Sequence, residues 1–360
     1  MHPTDARRAD SSRVAFAASC AAALVLVGCG KGGVAPPTEP ADAGPAAPPP
    51  LVDGPAALAD ARLLAARFDP ADRSLRAIAH LRDAGGAPVE VSEKSLELRV
   101  DGAGHRVTAL APAGTVNRAV ALLGNATSAF KDAWGPYPES AVEEEASALG
   151  AAGTELREGE RLAVFALDDA GLATIAPWSA DSLTVQAAVR ARLRERAGES
   201  APGVRFWAAV AKAAERFDEL AGGDFPMRAV VAVVDQGELA AGEPGVVAKA
   251  AERARAALVA RGVALHVVAW RASDRASALA TAKAVAVATG GGVVALPTPD
   301  EAPETALEGA VAGVLSGLRA LSVLEATLPA GTETVKTVAF AVKRGDGFLA
   351  SNALTLTEED

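Results

Sequence analysis

Between residues 116 and 321, short apolar runs alternate with longer amphipathic segments, and this alternation restricts the fold more than any other feature of the chain. The apolar runs are nearly continuous, as expected of strands that are buried on both faces. Parallel sheets covered by helices on both faces have this pattern. The sequence therefore predicts an α/β domain with a doubly wound, mostly parallel sheet. The predicted strands are residues 116–123, 161–167, 228–234, 263–270 and 293–296, and the predicted helices are residues 139–149, 182–196, 207–220, 246–261, 276–289 and 305–321.

On either side of this domain the apolar residues recur with a period of two, which is typical of half-buried antiparallel strands. Turn sequences at residues 101–104 and 344–347 divide each flank into a hairpin. Because an isolated hairpin is marginally stable in water, we expect the two flanks to pair into one small antiparallel β-sandwich with the α/β domain inserted between them. The alternating apolar positions are Leu96, Leu98 and Val100 in the first flank and Val338, Phe340 and Val342 in the second.

The amino-terminal 28 residues have the order of a secretory signal, with arginines first and an apolar stretch from residue 14 to residue 28. That stretch is too short for a helix that spans a bilayer, which needs about 20 residues. The sequence Leu26-Val27-Gly28-Cys29 resembles the bacterial lipobox. This resemblance implies cleavage before Cys29 and a lipid on its thiol, which would attach the protein to a membrane.

Residues 29–55 are rich in proline and alanine and are predicted to form an extended tether. The predicted organisation is a signal peptide at 1–28, the lipidated cysteine and tether at 29–55, a β module at 56–115, the α/β domain at 116–325 and carboxyl-terminal strands at 326–360. The expected location is the bacterial cell envelope. Gly30 stands where many inner-membrane lipoproteins have aspartate, which favours the outer membrane.

Charge and cysteine content narrow the possible functions. The chain has 35 Lys and Arg against 45 Asp and Glu, a formal net charge of -10, and no basic run, so a nucleic-acid partner is disfavoured. Cys20 lies in the predicted signal peptide, which leaves Cys29 as the single cysteine of the mature chain. The mature chain is therefore expected to have neither a disulfide nor a thiolate metal site.

Four segments within residues 116–321 carry a resemblance to a known family. Residues 159–165 followed by Asp168-Asp169 resemble its third strand, and residues 227–237 resemble the strand that usually ends in Thr-Asp-Gly. Residues 261–270 resemble the next strand, and residues 288–292 resemble the Thr-Gly-Gly that follows the next helix. The family is the von Willebrand factor type A domain. The resemblance implies a Rossmann-like α/β fold that binds other proteins.

The same resemblance implies a metal-ion-dependent adhesion site, but this sequence departs from its motif. The family has Asp-x-Ser-x-Ser after the first strand, whereas this chain has Gly124 and Ala126 at the first two positions and keeps only Ser128. The threonine position falls near residues 203–206, and the strand-end acid is replaced by Gln236. One hydroxyl without an assured carboxylate is a poor site for Mg²⁺, so we expect no bound metal.

An alternative is a weak, shifted Mg²⁺ site that uses other oxygen-bearing side chains at the same edge of the sheet. Asp235 precedes the expected position by one residue and would point to the opposite face of a regular strand. The loop beyond the strand could still turn it inward. The side chains of this alternative site are Asn125, Thr127, Ser128 and Asp235.

Trp134 and Tyr137 follow the first predicted strand, and Arg205 lies near the threonine position, so all three are candidates for contact with a partner. The two aromatic residues could equally pack a loop onto the sheet. No Gly-x-Ser-x-Gly motif is present, and the three glycines at 290–292 follow a helix, whereas phosphate-binding glycines precede one. The sequence favours a protein-binding or scaffolding function over an enzyme. A hydrolase or transferase on the same fold is the alternative.

Overall fold

The computed structural model describes residues 50–84, 88–112, 116–126, 141–154, 156–168, 171–193, 203–220, 225–239, 242–270, 276–296 and 305–356. These residues belong to one compact unit that extends from Pro50 to Asp360. In chain order, the described strands are β1 (Leu58–Asp69), β2 (Ser74–Asp83), β3 (Leu96–Val100), β4 (Ala103–Arg106), β5 (Ala109–Pro112), β6 (Arg118–Asn125), β7 (Glu160–Asp168), β8 (Gly171–Ser179), β9 (Met227–Asp235), β10 (Val263–Trp270), β11 (Gly292–Ala295), β12 (Ser322–Thr327), β13 (Thr337–Arg344), β14 (Gly347–Ala350) and β15 (Leu354–Thr355). The described α-helices are α1 (Ala141–Thr154), α2 (Ser182–Arg192), α3 (Gly203–Glu215), α4 (Gln236–Leu239), α5 (Pro244–Ala260), α6 (Ala276–Ala288) and α7 (Ala306–Arg319).

The α/β domain is built on a six-stranded sheet with the order β11-β10-β9-β6-β7-β8. All neighbouring pairs in this sheet are parallel except β7 and β8, which are antiparallel. Strand order reverses beside β6, the first strand of the domain, because the chain winds first toward β8 and then toward β11. The prediction of a doubly wound, mostly parallel sheet is confirmed.

The two faces of this sheet are covered by different helices. Alternate residues of β9 show the division, since Val231 packs with α1, α2 and α7, whereas Val230 packs with α3, α5 and α6. Both residues are completely buried. Strands that are apolar on both faces therefore became the centre of the sheet, as their continuous apolar runs predicted.

The two flanks of the chain pair with each other. One sheet has the order β1-β2-β12-β5, and the other has the order β14-β13-β3-β4, with β15 also paired to β13. Each sheet thus contains strands from both ends of the described chain, for example β3 with β13, where Leu98 lies opposite Phe340. The inner faces of the two sheets share one apolar core. The predicted β-sandwich with an inserted α/β domain is confirmed.

A tight turn between β3 and β4 helps to join the two flanks. Asp101 and Gly102 have φ angles of 50° and 87°, which fit the two central positions of a type I′ hairpin turn. The carboxylate of Asp101 accepts hydrogen bonds from the backbone N–H groups of Thr337, at 2.7 Å, and of Lys336, at 3.1 Å. These bonds, led by that from Thr337, lower the pKa of Asp101 below its ordinary value.

The structure corrects two details of the sequence interpretation. Residues 159–165, which resemble the family's third strand, lie mainly in β7, the second strand of the α/β domain. The third strand is β8, which the sequence pattern did not predict. It lies at the edge of the sheet, contains Pro177 and is only partly buried, so it lacks the continuous apolar run of a central strand.

Candidate functional site

The candidate site lies where the carboxyl ends of the parallel strands meet. Open α/β sheets usually bind their ligands there. Asn125 is the last residue of β6, and Asp235 is the last residue of β9. Both are polar yet buried, with exposed fractions of 1% and 6%. Gln236 begins α4 immediately afterwards and is also buried.

A carboxylate from helix α1 occupies the end of β6. The side chain of Glu145 is fully buried, and its Oε1 accepts a hydrogen bond of 2.7 Å from the backbone N–H of Asn125. Burial of a carboxylate is costly unless hydrogen bonds replace its hydration. This bond provides part of that compensation and satisfies a backbone donor at the strand end.

Gly124 faces the same helix and has little space around it. A Cβ atom at this position would lie 3.0 Å from Cδ1 of Leu149 and 3.4 Å from Cδ1 of Leu193. It would also lie 3.4 Å from Oε1 of Glu145. A carboxylate at position 124, where the family motif has its first aspartate, would therefore enter an apolar contact between β6, α1 and α2.

The two described members of the alternative metal site, Asn125 and Asp235, do not share one face of the sheet. Asn125 continues the alternation of Leu123, which packs with α3, whereas Asp235 continues that of Val233, which packs with α1 and α7. Asp235 therefore lies on the same face of the sheet as Gly124, which alternates with Leu122 and faces α1. Thr127 and Ser128 lie outside the described residues. Within the described ranges, no group of three or more His, Cys, Asp or Glu side chains could hold a metal ion.

The candidate partner-binding residues are only partly described. Arg205 is exposed in the first turn of α3, next to Phe206 and Trp207. These two rings are buried against each other, with centroids 5.0 Å apart and planes at 74°. Because α3 descends toward the start of β9, its first turn lies at the edge where the strands end. Trp134 and Tyr137 lie outside the described residues, as does Cys29.

The sequence interpretation missed Glu145. A signal was present, because Glu145 precedes Ala146 and Leu149 on the apolar side of α1 and is preceded by two further glutamates. An acidic residue on the buried face of an amphipathic helix indicates a specific partner. The partner proved to be a backbone amide of β6, which sequence spacing alone does not identify.

No protein-family model matches the chain, and no curated protein matches it. Among solved structures, the SpRpn10 VWA domain is similar, with 12% identity over 53% of this chain and 94% of that one and a TM-score of 0.42. The PilB minor pilin from Streptococcus sanguinis has 9% identity over 71% and 87% of the two chains, with a TM-score of 0.42. PTMP1 from the mussel byssus, with its metal-ion-dependent adhesion site occupied by zinc, has 15% identity over 56% and 48% and a TM-score of 0.39.

The order and direction of the six strands, with β8 antiparallel at one edge, define the class of the α/β domain. It is a doubly wound α/β domain, and its strand order agrees with the von Willebrand factor type A-like fold that the sequence resemblance implied. None of the described helices is long and apolar enough to cross a membrane.

Proposed function

We propose that this chain is anchored to the outer side of a bacterial membrane by lipid on Cys29, and that its α/β domain binds another protein without a resident metal ion. The contact surface is the edge of the sheet where the parallel strands end, including the exposed Arg205 on α3. The proline- and alanine-rich tether would allow this surface to reach a partner near the membrane. The proposed role is binding or scaffolding rather than catalysis.

The proposal that no metal ion is bound rests on the packing at the carboxyl end of β6. The chain's own Glu145 carboxylate accepts the Asn125 amide, and Gly124 is packed against leucine side chains. Hard divalent cations need several converging oxygen ligands. Asn125 and Asp235 belong to opposite faces of the sheet, so these two residues do not provide such a set.

The metal-free part is tested by thermal unfolding of the purified chain that carries Cys29→Ser, with and without millimolar Mg²⁺ or Mn²⁺. We expect the same Tm in all conditions, because an ion that does not bind the native state cannot stabilise it. A Ser128→Ala variant provides the comparison. A Tm that rises with either ion in the parent chain but not in this variant would establish the shifted metal site instead.

The binding surface is tested by chemical crosslinking in the producing cells, followed by identification of the crosslinked proteins. Arg205→Glu reverses a charge at the proposed surface and should reduce capture of the partner at least about tenfold, as expected for an interface arginine. Arg253→Glu makes the same change at an exposed position in the middle of α5 and should leave capture unchanged. Equal capture by both variants would show that the partner uses another surface.

The anchor is tested by metabolic labelling with a fatty acid and by fractionation of the cells. The wild-type chain should carry the label and remain with the membranes, whereas Cys29→Ser should lose both properties. An unlabelled wild-type chain that is released into the soluble fraction would contradict the lipid anchor without affecting the proposed binding surface.

A further inference from the structure

At the amino-terminal ends of strands β9 and β10, a cleft separates the α/β domain from the β-sandwich. Four arginines line it: Arg67, Arg76, Arg228 and Arg261. Within the described part of the chain, no acidic side chain lines the cleft. Two of the four, Arg76 and Arg261, form ion pairs with the nearby Glu325 and Asp218. We call this site the arginine cleft.

One wall of the arginine cleft is the outer face of the sandwich sheet. Leu75 and Ala77 of β2 face the sandwich core, so Arg76 between them faces outward. Arg67 of β1 lies directly opposite Arg76 in the antiparallel register and therefore points to the same side. Like charges directly opposite each other destabilise a sheet. The Arg67–Arg76 pair therefore lowers the stability of the folded protein, and the fold does not require it.

Acidic residues only partly offset the charge on this wall. Arg76 forms an ion pair with Glu325 of β12, at 2.9 Å between Nε and Oε1. Arg67 makes no hydrogen bond or ion pair within the described part of the chain and is exposed. Its guanidinium therefore remains available to a ligand at the mouth of the cleft.

The other wall is formed by residues at the beginning of β9 and β10, whose side chains are held in place. Arg228 donates a hydrogen bond of 3.2 Å from Nε to the carbonyl oxygen of Phe225. Arg261 is fixed by Asp218, with Nη2–Oδ2 at 2.9 Å and Nε–Oδ1 at 3.1 Å. Side chains that are already ordered lose less conformational entropy when a ligand binds.

The floor of the cleft is apolar. Ile78, Phe225 and Val323 lie between the two walls, together with small alanine side chains. The ring of Phe225 also lies 5.9 Å from the guanidinium carbon of a further arginine, Arg161. A ligand that matches both parts of the cleft needs an apolar body and an anionic group.

We propose that the arginine cleft binds a small organic anion whose carboxylate or phosphate group contacts Arg67 and whose apolar body lies on Ile78 and Phe225. Arginine suits both anions, because its planar guanidinium can donate two parallel hydrogen bonds to their oxygens. Small-molecule sites often lie between domains, as this cleft does. The site is independent of the protein-binding edge proposed above, because it lies at the other end of the strands.

The test is isothermal titration of the purified chain that carries Cys29→Ser with four probes: phenyl phosphate, phenylacetate, inorganic phosphate and the neutral phenethyl alcohol. At least one aromatic anion should bind with one-to-one stoichiometry, and its affinity should decrease as salt is added. The tighter of the two aromatic anions identifies phosphate or carboxylate as the preferred group. Inorganic phosphate and phenethyl alcohol should each bind at least tenfold more weakly than that anion. Inorganic phosphate has no apolar body, and phenethyl alcohol has no anionic group.

Arg67→Gln should weaken binding of the preferred anion at least tenfold while leaving Tm unchanged or slightly higher, since it removes a like-charge pair. Arg62→Gln is the matched control, because Arg62 lies on the same strand but outside the cleft, and it should bind as the parent does. Absence of binding by both aromatic anions would overturn the proposal. So would equal binding by Arg67→Gln and the parent, or binding of phenethyl alcohol as tight as that of the anions.

Discussion

The turn after helix α6 requires glycine at two adjacent positions for different reasons. Gly290 has a φ of +82°, in the left-handed region, and a Cβ atom there would overlap the backbone of Leu64 on β1. At Gly291 a Cβ atom would overlap the carbonyl oxygen of Leu265 on β10. The three glycines thus lie between helix α6 and strand β11, and two of them permit close approach of other backbones.

Substitution at this turn gives a prediction at the scale of single residues. Gly291→Ala should destabilise the fold by at least about 2 kcal/mol, because the backbone of β10 must shift to admit the methyl group. Gly292→Ala should change stability by less than about 1 kcal/mol, since no described residue has an atom within 4 Å of the position of its Cβ. Urea denaturation of the two variants measures the difference, and equal losses would show that the backbone contact at Gly291 is not the cause.

At the scale of secondary-structure elements, a buried ionic cluster joins β6, β7 and α7. Arg319 donates from Nε and Nη2 to the two carboxylate oxygens of Glu160, both at 3.0 Å. Arg118 lies 3.2 Å from the same carboxylate, between Nη1 and Oε1. Burial raises the pKa of Glu160, but the hydrogen bonds from Arg319 and Arg157 and the charge of Arg118 outweigh it and hold the pKa below 4.5.

Glu160→Gln should therefore destabilise the protein by about 3–5 kcal/mol, because two largely buried guanidiniums would lose their shared counter-charge. The matched control is Glu252→Gln, which removes an exposed ion pair with Arg255 on α5 and should cost about 0.5 kcal/mol or less. Chemical denaturation of both variants at neutral pH provides the comparison. A small loss for Glu160→Gln would mean that water replaces the carboxylate.

At the scale of the whole molecule, two histidines lie near the boundary between the sandwich and the α/β domain. His80 is on the outer face of β2, and His266 is on β10, where its buried Nε2 makes no hydrogen bond to any described residue. Burial and, to a smaller extent, the charge of Arg82 lower the pKa of His80 to about 4. Burial also lowers the pKa of His266 to about 4, with a contribution from His80.

These shifts predict the direction of the acid response. Below the ordinary pKa of 6.5, an unfolded chain takes up protons on both histidines, whereas the folded chain does not until the pH approaches 4. Lower pH therefore favours unfolding, and the free energy of unfolding should decrease through this interval. Urea midpoints measured across it should show a smaller slope for His266→Gln, and a smaller slope still for the variant that also carries His80→Gln. An unchanged slope in the double variant would assign the acid response to other groups.

The sequence by itself determined the class of fold. Whether a strand is buried on one face or both is encoded locally, as alternating residues near Leu98 or as a continuous run near Val231. The pairing of the two flanks also followed, because neither hairpin could bury its apolar face alone. The strand β8 was missed because an edge strand needs no continuous apolar run.

Only the tertiary structure determined which side chains lie together at the two ends of the parallel strands. Glu145 meets Asn125 across 20 residues of sequence, and the cleft arginines are brought together from positions as distant as 67 and 261. In the sequence these charges are scattered, and the net charge of -10 argued against any basic surface. Local patterns report whether a residue is buried. Which side chains converge depends on strand register and on the docking of the sandwich against the sheet, and neither has a signature in local sequence.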